Sequence, residues 1–214
     1  MYKRNYIFLL LLSVLLIFTG IWIVKIMTGT LPYVDQWTRG FVGVVDDTAA
    51  YTFFRWMTEL GSGTFLTPLT IIMGIVIWRW YRHWVPAVIF AGGTFTSHLL
   101  NLLIKNVVDR QRPSLLPSAE AVGHSFPSGH AMIPMVCYGL LAYYLGKKID
   151  SSRVVFVMQL TFALLVFLIG ISRYFLNVHY LTDVVAGFFV GFLWLMGCAS
   201  LDRWMFRRSQ GAEE

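Results

Sequence analysis

The chain has 214 residues, of which 57% are hydrophobic and only 13% charged, with a mean hydropathy of +0.65 and a formal net charge of +6. A soluble domain carries roughly twice that share of charge, so the composition argues against a water-soluble enzyme and for an all-α, polytopic membrane protein. The basic balance is then a topology signal or an attraction to anionic headgroups, with nucleic acid an improbable partner.

Six apolar runs read as membrane spans: Ile7 to Ile26, Thr64 to Trp80, Trp84 to Val107, His130 to Leu145, Val154 to Ile171 and Leu181 to Leu201. Each must be helical, because lipid offers no hydrogen-bond partner to an open backbone. The first run exceeds a signal-peptide h-region, has no small-x-small cleavage site before Pro32 and ends in Lys25, so an uncleaved helix is expected. Residues 1–214 are accordingly expected to form a single membrane domain. The connection from Met27 to Gly63 mixes apolar residues with Asp35, Trp37, Asp46, Asp47 and Trp56, which suggests extracytoplasmic interfacial helices, with an irregular loop as the alternative. Cys137 and Cys198 fall inside predicted spans and read as small buried hydrophobes.

Lys and Arg set the orientation. Lys3 and Arg4, then Arg79 and Arg82, then Lys147, Lys148 and Arg153, and finally Arg203, Arg207 and Arg208 share one side of an even-numbered bundle, expected to be cytoplasmic. Trp78, Trp80, Trp84 and Trp204 form an aromatic belt on that side. The connection after the third span breaks the pattern, because it puts Lys105, Arg110 and Arg112 on the opposite, extracytoplasmic face. Cations on that face need another reason, and an anionic substrate supplies one.

Three polar stretches meet at that face: Lys105 to Pro113 (KNVVDRQRP), Pro127 to His130 (PSGH) and Ser172 to Asp183 (SRYFLNVHYLTD). Arg112 and Arg173 can each offer a planar fork to two phosphoryl oxygens, and Lys105 a point charge. Pro127 and Ser128 suit a helix start, and the Ser128–Gly129 pair leaves backbone N–H groups open to an anion; a plain helix cap is the alternative. His130 follows in the first turn. His179 and Asp183 are four residues apart and share a face if helical, so the carboxylate can fix one ring nitrogen and leave the other as a nucleophile. The alternative is a histidine–carboxylate pair that only closes the loop. Two histidines and an aspartate could also hold a metal, but three adjacent cations would repel it, and Asp109, Glu120, Asp46 and Asp47 show no ligand spacing. No metal and no cofactor are expected. His98 shares a helical stripe with Thr94, Asn101 and Lys105 and is expected to face the bundle interior as a structural histidine. Gly187 and Gly191 form a GxxxG that reads as a close helix contact.

The patterns KxxxxxxRP, PSGH and SRxxxxxHxxxD occur here in that order and at every defined position, on a six-span plan. In this the chain resembles the type 2 phosphatidic acid phosphatases, a family of membrane lipid phosphatases. The resemblance implies that His179 is the nucleophile that becomes a phosphohistidine. It implies that Asp183 orients His179, and that His130 protonates the leaving oxygen and then activates water. Lys105, Arg112, Ser128, Gly129 and Arg173 would bind the phosphoryl group.

The expected activity is a metal-independent lipid phosphatase of the cytoplasmic membrane. Its termini would be cytoplasmic and its site extracytoplasmic. Phosphatidylglycerophosphate, phosphatidic acid and undecaprenyl diphosphate are candidate substrates within the bilayer. The alternatives are a lipid-to-lipid phosphotransferase, which keeps the site and changes the acceptor, and a transporter whose cations only bind headgroups.

Overall fold

The computed structural model describes residues 2–45, 48–113 and 123–210. Asp46, Asp47 and Glu120 lie outside them. In chain order the described residues form α1 (Tyr2–Met27), α2 (Tyr33–Thr38), a 3-10 segment (Arg39–Val45), α3 (Ala49–Glu59), α4 (Gly63–Tyr81), α5 (Trp84–Val108), α6 (Gly129–Gly146), α7 (Ser152–Phe175) and α8 (Leu181–Gln210). The fold is all-α, as the composition requires.

Five of these helices are long and apolar enough to cross a membrane: Leu10–Met27, Gly63–Tyr81, Trp84–Val108, Ser152–Phe175 and Leu181–Phe206. The sixth expected span, α6, is not among them, and its surroundings give the reason. It runs through the middle of the bundle and packs against α4, α5, α7 and α8. Val136, Cys137 and Leu140 on it are fully buried. A helix enclosed by protein need not be apolar all round, and α6 carries His130, Pro134 and three tyrosines.

Local signals end the helices where the sequence turns polar. Ser62 and Ser151 cap α4 and α7 by accepting from the backbone N–H groups of Phe65 and Val154. Arg82 and Asp109 adopt left-handed φ values of 52° and 47° and stop α4 and α5. The Gly187/Gly191 pair on α8 lets that helix meet α6 backbone to backbone. A Cβ on Gly187 would lie 2.6 Å from the Ser128 carbonyl oxygen, and one on Gly191 would lie 2.7 Å from that of Met132.

The bundle has two polar ends. At one, Lys147 and Tyr143 bond Asp202 at 2.8 Å each, and Tyr81 donates to the Tyr144 carbonyl at 2.7 Å. At the other, Lys105, His130, Arg173 and Asp183 come together at the ends of α5 to α8. The connection before α4 is helical, which decides between the two readings of residues 27–63. Segments α2 to α3 lie across this second end, with Asp35, Thr38 and Thr58 buried against the bundle. They leave Tyr33, Trp37, Phe41 and Trp56 exposed, the arrangement expected of elements in a membrane interface. Phe54 of α3 stacks on Phe175 of α7 at 4.8 Å.

The close contact at Gly187 gives the first test. Gly187→Val should force α8 from the start of α6 and lower the stability by about 1–3 kcal/mol, read as a lower thermal midpoint in detergent. Gly197→Ala, where an added methyl would meet nothing within 4 Å, should not lower the midpoint.

Candidate active site

The site is built where four helices end. Lys105 is in the last turn of α5, and the chain then runs through Arg110 and Arg112. Residues 123–128 return it to the start of α6. Arg173 projects from the last turn of α7, His179 sits in the turn that follows, and Asp183 is in the first turn of α8.

His179 is buried, with 3% of its surface exposed, and its ring has a defined direction. Arg112 Nη1 lies 3.1 Å from His179 Nε2. A guanidinium can only donate, so Nε2 is the acceptor and the ring proton sits on Nδ1. Nδ1 faces Asp183 Oδ2 at 3.4 Å and Ser125 Oγ at 3.3 Å. The same Oδ2 accepts from Ser125 Oγ at 2.5 Å and from the Tyr180 backbone N–H at 2.9 Å. His179 thus points its Nε2 lone pair toward the cations while Asp183 and Ser125 hold its back.

The cations hang from backbone carbonyls. Lys105 Nζ donates to the His124 carbonyl at 2.5 Å; Arg112 Nε and Nη1 donate to those of Gly123 and Val178 at 2.9 Å each. Arg173 Nη1 donates to Thr58 Oγ1 of α3 at 2.8 Å. Carbonyl and hydroxyl partners fix these groups and leave their charge available to a ligand. Two buried polar atoms, Ser128 Oγ and Arg173 Nε, have no hydrogen-bond partner among the described residues. An unmatched buried polar group costs about 1–3 kcal/mol, and phosphoryl oxygens are suitable acceptors for both donors. Ser128 is the N-cap of α6, so the Gly129 N–H adds the positive end of a helix. Asn101 braces this turn by donating to the Pro127 carbonyl at 3.2 Å. A Cβ on Gly129 would meet Asn101 Oδ1 at 3.1 Å. His130 lies within electrostatic reach of Arg173, His179, Arg112 and Lys105, so the eight expected residues converge.

The sequence profile described as the PAP2 superfamily matches residues 86–207. The chain belongs to the PAP2 superfamily. Phosphatidylglycerophosphatase B of Bacillus subtilis is 35% identical over 144 residues, covering 64% of this chain and 68% of that protein. Dolichyldiphosphatase of Saccharomyces cerevisiae is 29% identical, covering 61% and 60%. Decaprenylphosphoryl-5-phosphoribose phosphatase of Mycolicibacterium smegmatis is 38% identical over 110 residues, covering 50% and 53%. The crystal structure of a transmembrane PAP2 type phosphatidylglycerolphosphate phosphatase from Bacillus subtilis superposes with a TM-score of 0.77 at 26% identity, covering 87% of this chain and 95% of that one. This PAP2 chain is therefore a multi-pass membrane protein of a phosphatase family.

Several groups at the site carry no sequence signal that singles them out. Arg110 falls in the first polar stretch, where nothing local distinguishes it from the other external cations; it donates to Asp183 Oδ1 at 2.5 Å. Ser125, two residues before the PSGH stretch, touches both His179 and Asp183. Asp35 and Thr58 come from segments outside the 86–207 match. His98 departs from expectation. It is exposed and lines a largely apolar groove of about 560 Å³ between α4, α5 and α6, with Leu66, Thr70, Phe95 and Ile133. Thr94 and Asn101 are buried as expected, but His98 lies about 40° around the helix from Thr94 and falls at the α4 seam. Among the described residues, no group of three or more His, Cys, Asp or Glu is placed to hold a metal.

In the PAP2 chain His179 lies between the spans α7 and α8, outside both. Burial pushes its pKa from the ordinary 6.5 down to about 3, against the upward pull of Asp183, with Arg112 and Arg173 adding to the lowering. The folded state then keeps the ring neutral while the unfolded chain takes up a proton below about 6.5. Protonation therefore favours unfolding, and this residue makes stability fall as pH drops from about 6.5 toward 3. Nitrogen-15 NMR of histidine-labelled protein should show His179 neutral, with the proton on Nδ1, throughout pH 5 to 8 (roughly, from the direction of the shift). A titration midpoint near the ordinary value would contradict this environment.

Proposed function

We propose that this chain is a metal-independent membrane lipid phosphatase that works through a phosphohistidine on His179. The observation that carries the proposal is the direction of the His179 ring: Nε2 faces Arg112, and Nδ1 faces Asp183 and Ser125. A neutral imidazole with one nitrogen fixed and the other aimed into a cation cluster is an activated nucleophile beside an anion site.

In this reading Lys105, Arg112, Arg173, Ser128 and the Gly129 N–H bind the phosphoryl oxygens. Nε2 of His179 attacks phosphorus as the phosphorus–oxygen bond to the lipid breaks. His130 gives its proton to the departing oxygen. The ring now carries a positive charge, which Asp183 offsets. His130 then takes a proton from water, the water oxygen bonds to phosphorus, the nitrogen–phosphorus bond breaks, and inorganic phosphate leaves. Asp183 remains ionised throughout. Among the described residues the groups acting on His130 are Arg173, His179, Arg112 and Lys105, with no carboxylate, so the doubly charged phosphoryl group itself supplies the anion that keeps its proton in place. Because the catalytic positive charge comes from Lys105, Arg112 and Arg173, the chemistry needs no metal.

The substrate is a lipid. The relatives named above share one chemical feature, a phosphoryl end on a long apolar body. The groove lined by Leu66, Thr70, Phe95 and His98 also reaches Gly61, where an added Cβ would lie 3.1 Å from His130 Cδ2. A tail lying in this groove would place its headgroup at the site without leaving the bilayer. The Lys and Arg distribution orients the site to the outer face of the cytoplasmic membrane, with both termini inside. The whole chain acts as one phosphatase domain.

Purified protein in lipid micelles should release phosphate from phosphatidylglycerophosphate, phosphatidic acid or a polyprenyl diphosphate with a chelator present. His179→Ala should lose about 10³-fold or more in turnover. Complete loss of activity under chelation would overturn the metal-independent reading. Full activity in His179→Ala would remove the nucleophile.

A further inference from the structure

Asp183 is not the end of the polar chain behind His179. Arg110 Nη1 donates to Asp183 Oδ1 at 2.5 Å, and Arg110 Nη2 donates to Asp35 Oδ2 at 2.7 Å. Asp35 belongs to α2, 75 residues before Arg110. Its Oδ2 also accepts from Thr182 Oγ1 at 2.6 Å, and its Oδ1 accepts from the Thr182 N–H at 3.0 Å. Thr182 Oγ1 in turn accepts from Arg110 Nη1 at 2.9 Å. The Arg110 guanidinium lies 3.9 Å from the centre of the Tyr180 ring. Both carboxylates are fully buried and Arg110 is 6% exposed.

We propose that Asp35 and Arg110 are positioning residues: the buried chain Asp35–Arg110–Asp183 sets the orientation and the free charge of the carboxylate behind His179, and ties both to the interfacial helix α2. Two features of the arrangement carry this. The first is geometric. Arg110 occupies Oδ1 of Asp183, so Oδ2 alone is left to face Ser125, the Tyr180 N–H and His179 Nδ1. The second is the charge count. Arg110 paired with Asp183 alone would be neutral and would leave little field at His179. With Asp35 sharing the guanidinium, the buried group carries a net charge of −1, and the positive charge that His179 gains on bonding phosphorus balances it. Asp35 already fixes α2 to α8 through the N–H and hydroxyl of Thr182, so a staple alone would need neither the shared guanidinium nor the selection of one Asp183 oxygen.

The effect on turnover rests on the phosphohistidine reading, whereas the effect on the His179 ring does not. The full chain, labelled with nitrogen-15 histidine in detergent, provides both readouts, with the His179 signal assigned by its loss in His179→Gln. Asp35→Asn removes the charge and replaces one of two acceptor oxygens with a donor, and Arg110→Lys cannot span two carboxylates. Each should lower kcat about 10- to 100-fold with KM within about twofold. Each should also move the His179 resonances away from a pure Nδ1–H tautomer. Asp35→Glu, which keeps the charge, should recover part of both. Asp202→Asn serves as the comparison, because Asp202 is a buried, ion-paired carboxylate at the far end of the bundle. It should lower the thermal midpoint while kcat and the His179 tautomer stay as in the parent. Folded Asp35→Asn protein with parental kcat and an unchanged tautomer would overturn the proposal. If Asp35→Asn and Arg110→Lys do not fold, Asp35→Ser, which removes the charge with a smaller side chain, decides on the same two readouts: a parental tautomer and rate overturn, a shifted tautomer with reduced kcat supports. If the parent cleaves none of the lipid phosphates, the phosphatase reading fails, and the tautomer in Asp35→Asn still decides this proposal.

Discussion

A carboxylate with no exposed surface, placed at the first turn of a membrane helix, is the constraint on which the rest of this structure depends. Asp183 is tolerable there because both of its oxygens are engaged: Arg110 on one, and Ser125, the Tyr180 N–H and His179 on the other. Those partners come from three stretches of chain, so satisfying one carboxylate brings the end of α5, the return loop before α6, the α7–α8 turn and, through Arg110, α2 to one point. The backbone repeats the theme, since the Ser128 N–H donates to the Asp183 carbonyl at 3.0 Å and fixes the PSGH turn against α8. The Gly187 contact makes that approach possible.

The same constraint explains how a cation cluster survives at a membrane surface. Lys105, Arg112 and Arg173 are held by carbonyl and hydroxyl oxygens, which orient them without neutralising them. Asp183, the carboxylate that acts on Lys105 and Arg112, is already engaged by Arg110. Net positive charge therefore persists where a phosphoryl group would bind. The helical bundle supplies the rigidity that such a site needs, because its central helix α6 is packed on nearly all sides.

Much of this is legible in the amino-acid sequence, for physical reasons. Long apolar runs can only be helices in lipid, so the spans follow from composition. The three motifs are legible because charged groups in an apolar chain stand out, and the i, i+4 spacing of His179 and Asp183 puts them on one face. The GxxxG contact is legible from residue size alone. Other features depend on the fold. Asp35 and Thr58 lie in an ambiguous amphipathic stretch, and nothing local says that they reach Arg110 and Arg173. Ser125 is an ordinary serine until the return loop places it between His179 and Asp183. His98 escapes the sequence pattern because a helical stripe is about 100° wide, and a residue at its edge can face a seam rather than the interior. The enclosed setting of α6 likewise follows from packing.

The central claim is that Nε2 of His179 bonds to phosphorus during turnover. The most direct measurement is to quench the purified protein within one turnover of a phosphorus-labelled lipid phosphate and locate the label by peptide mass spectrometry. The account predicts label on His179, stable in base and lost in acid, and none in His179→Gln. Label on Ser125 or Ser128, or rapid turnover with no labelled protein, would contradict it.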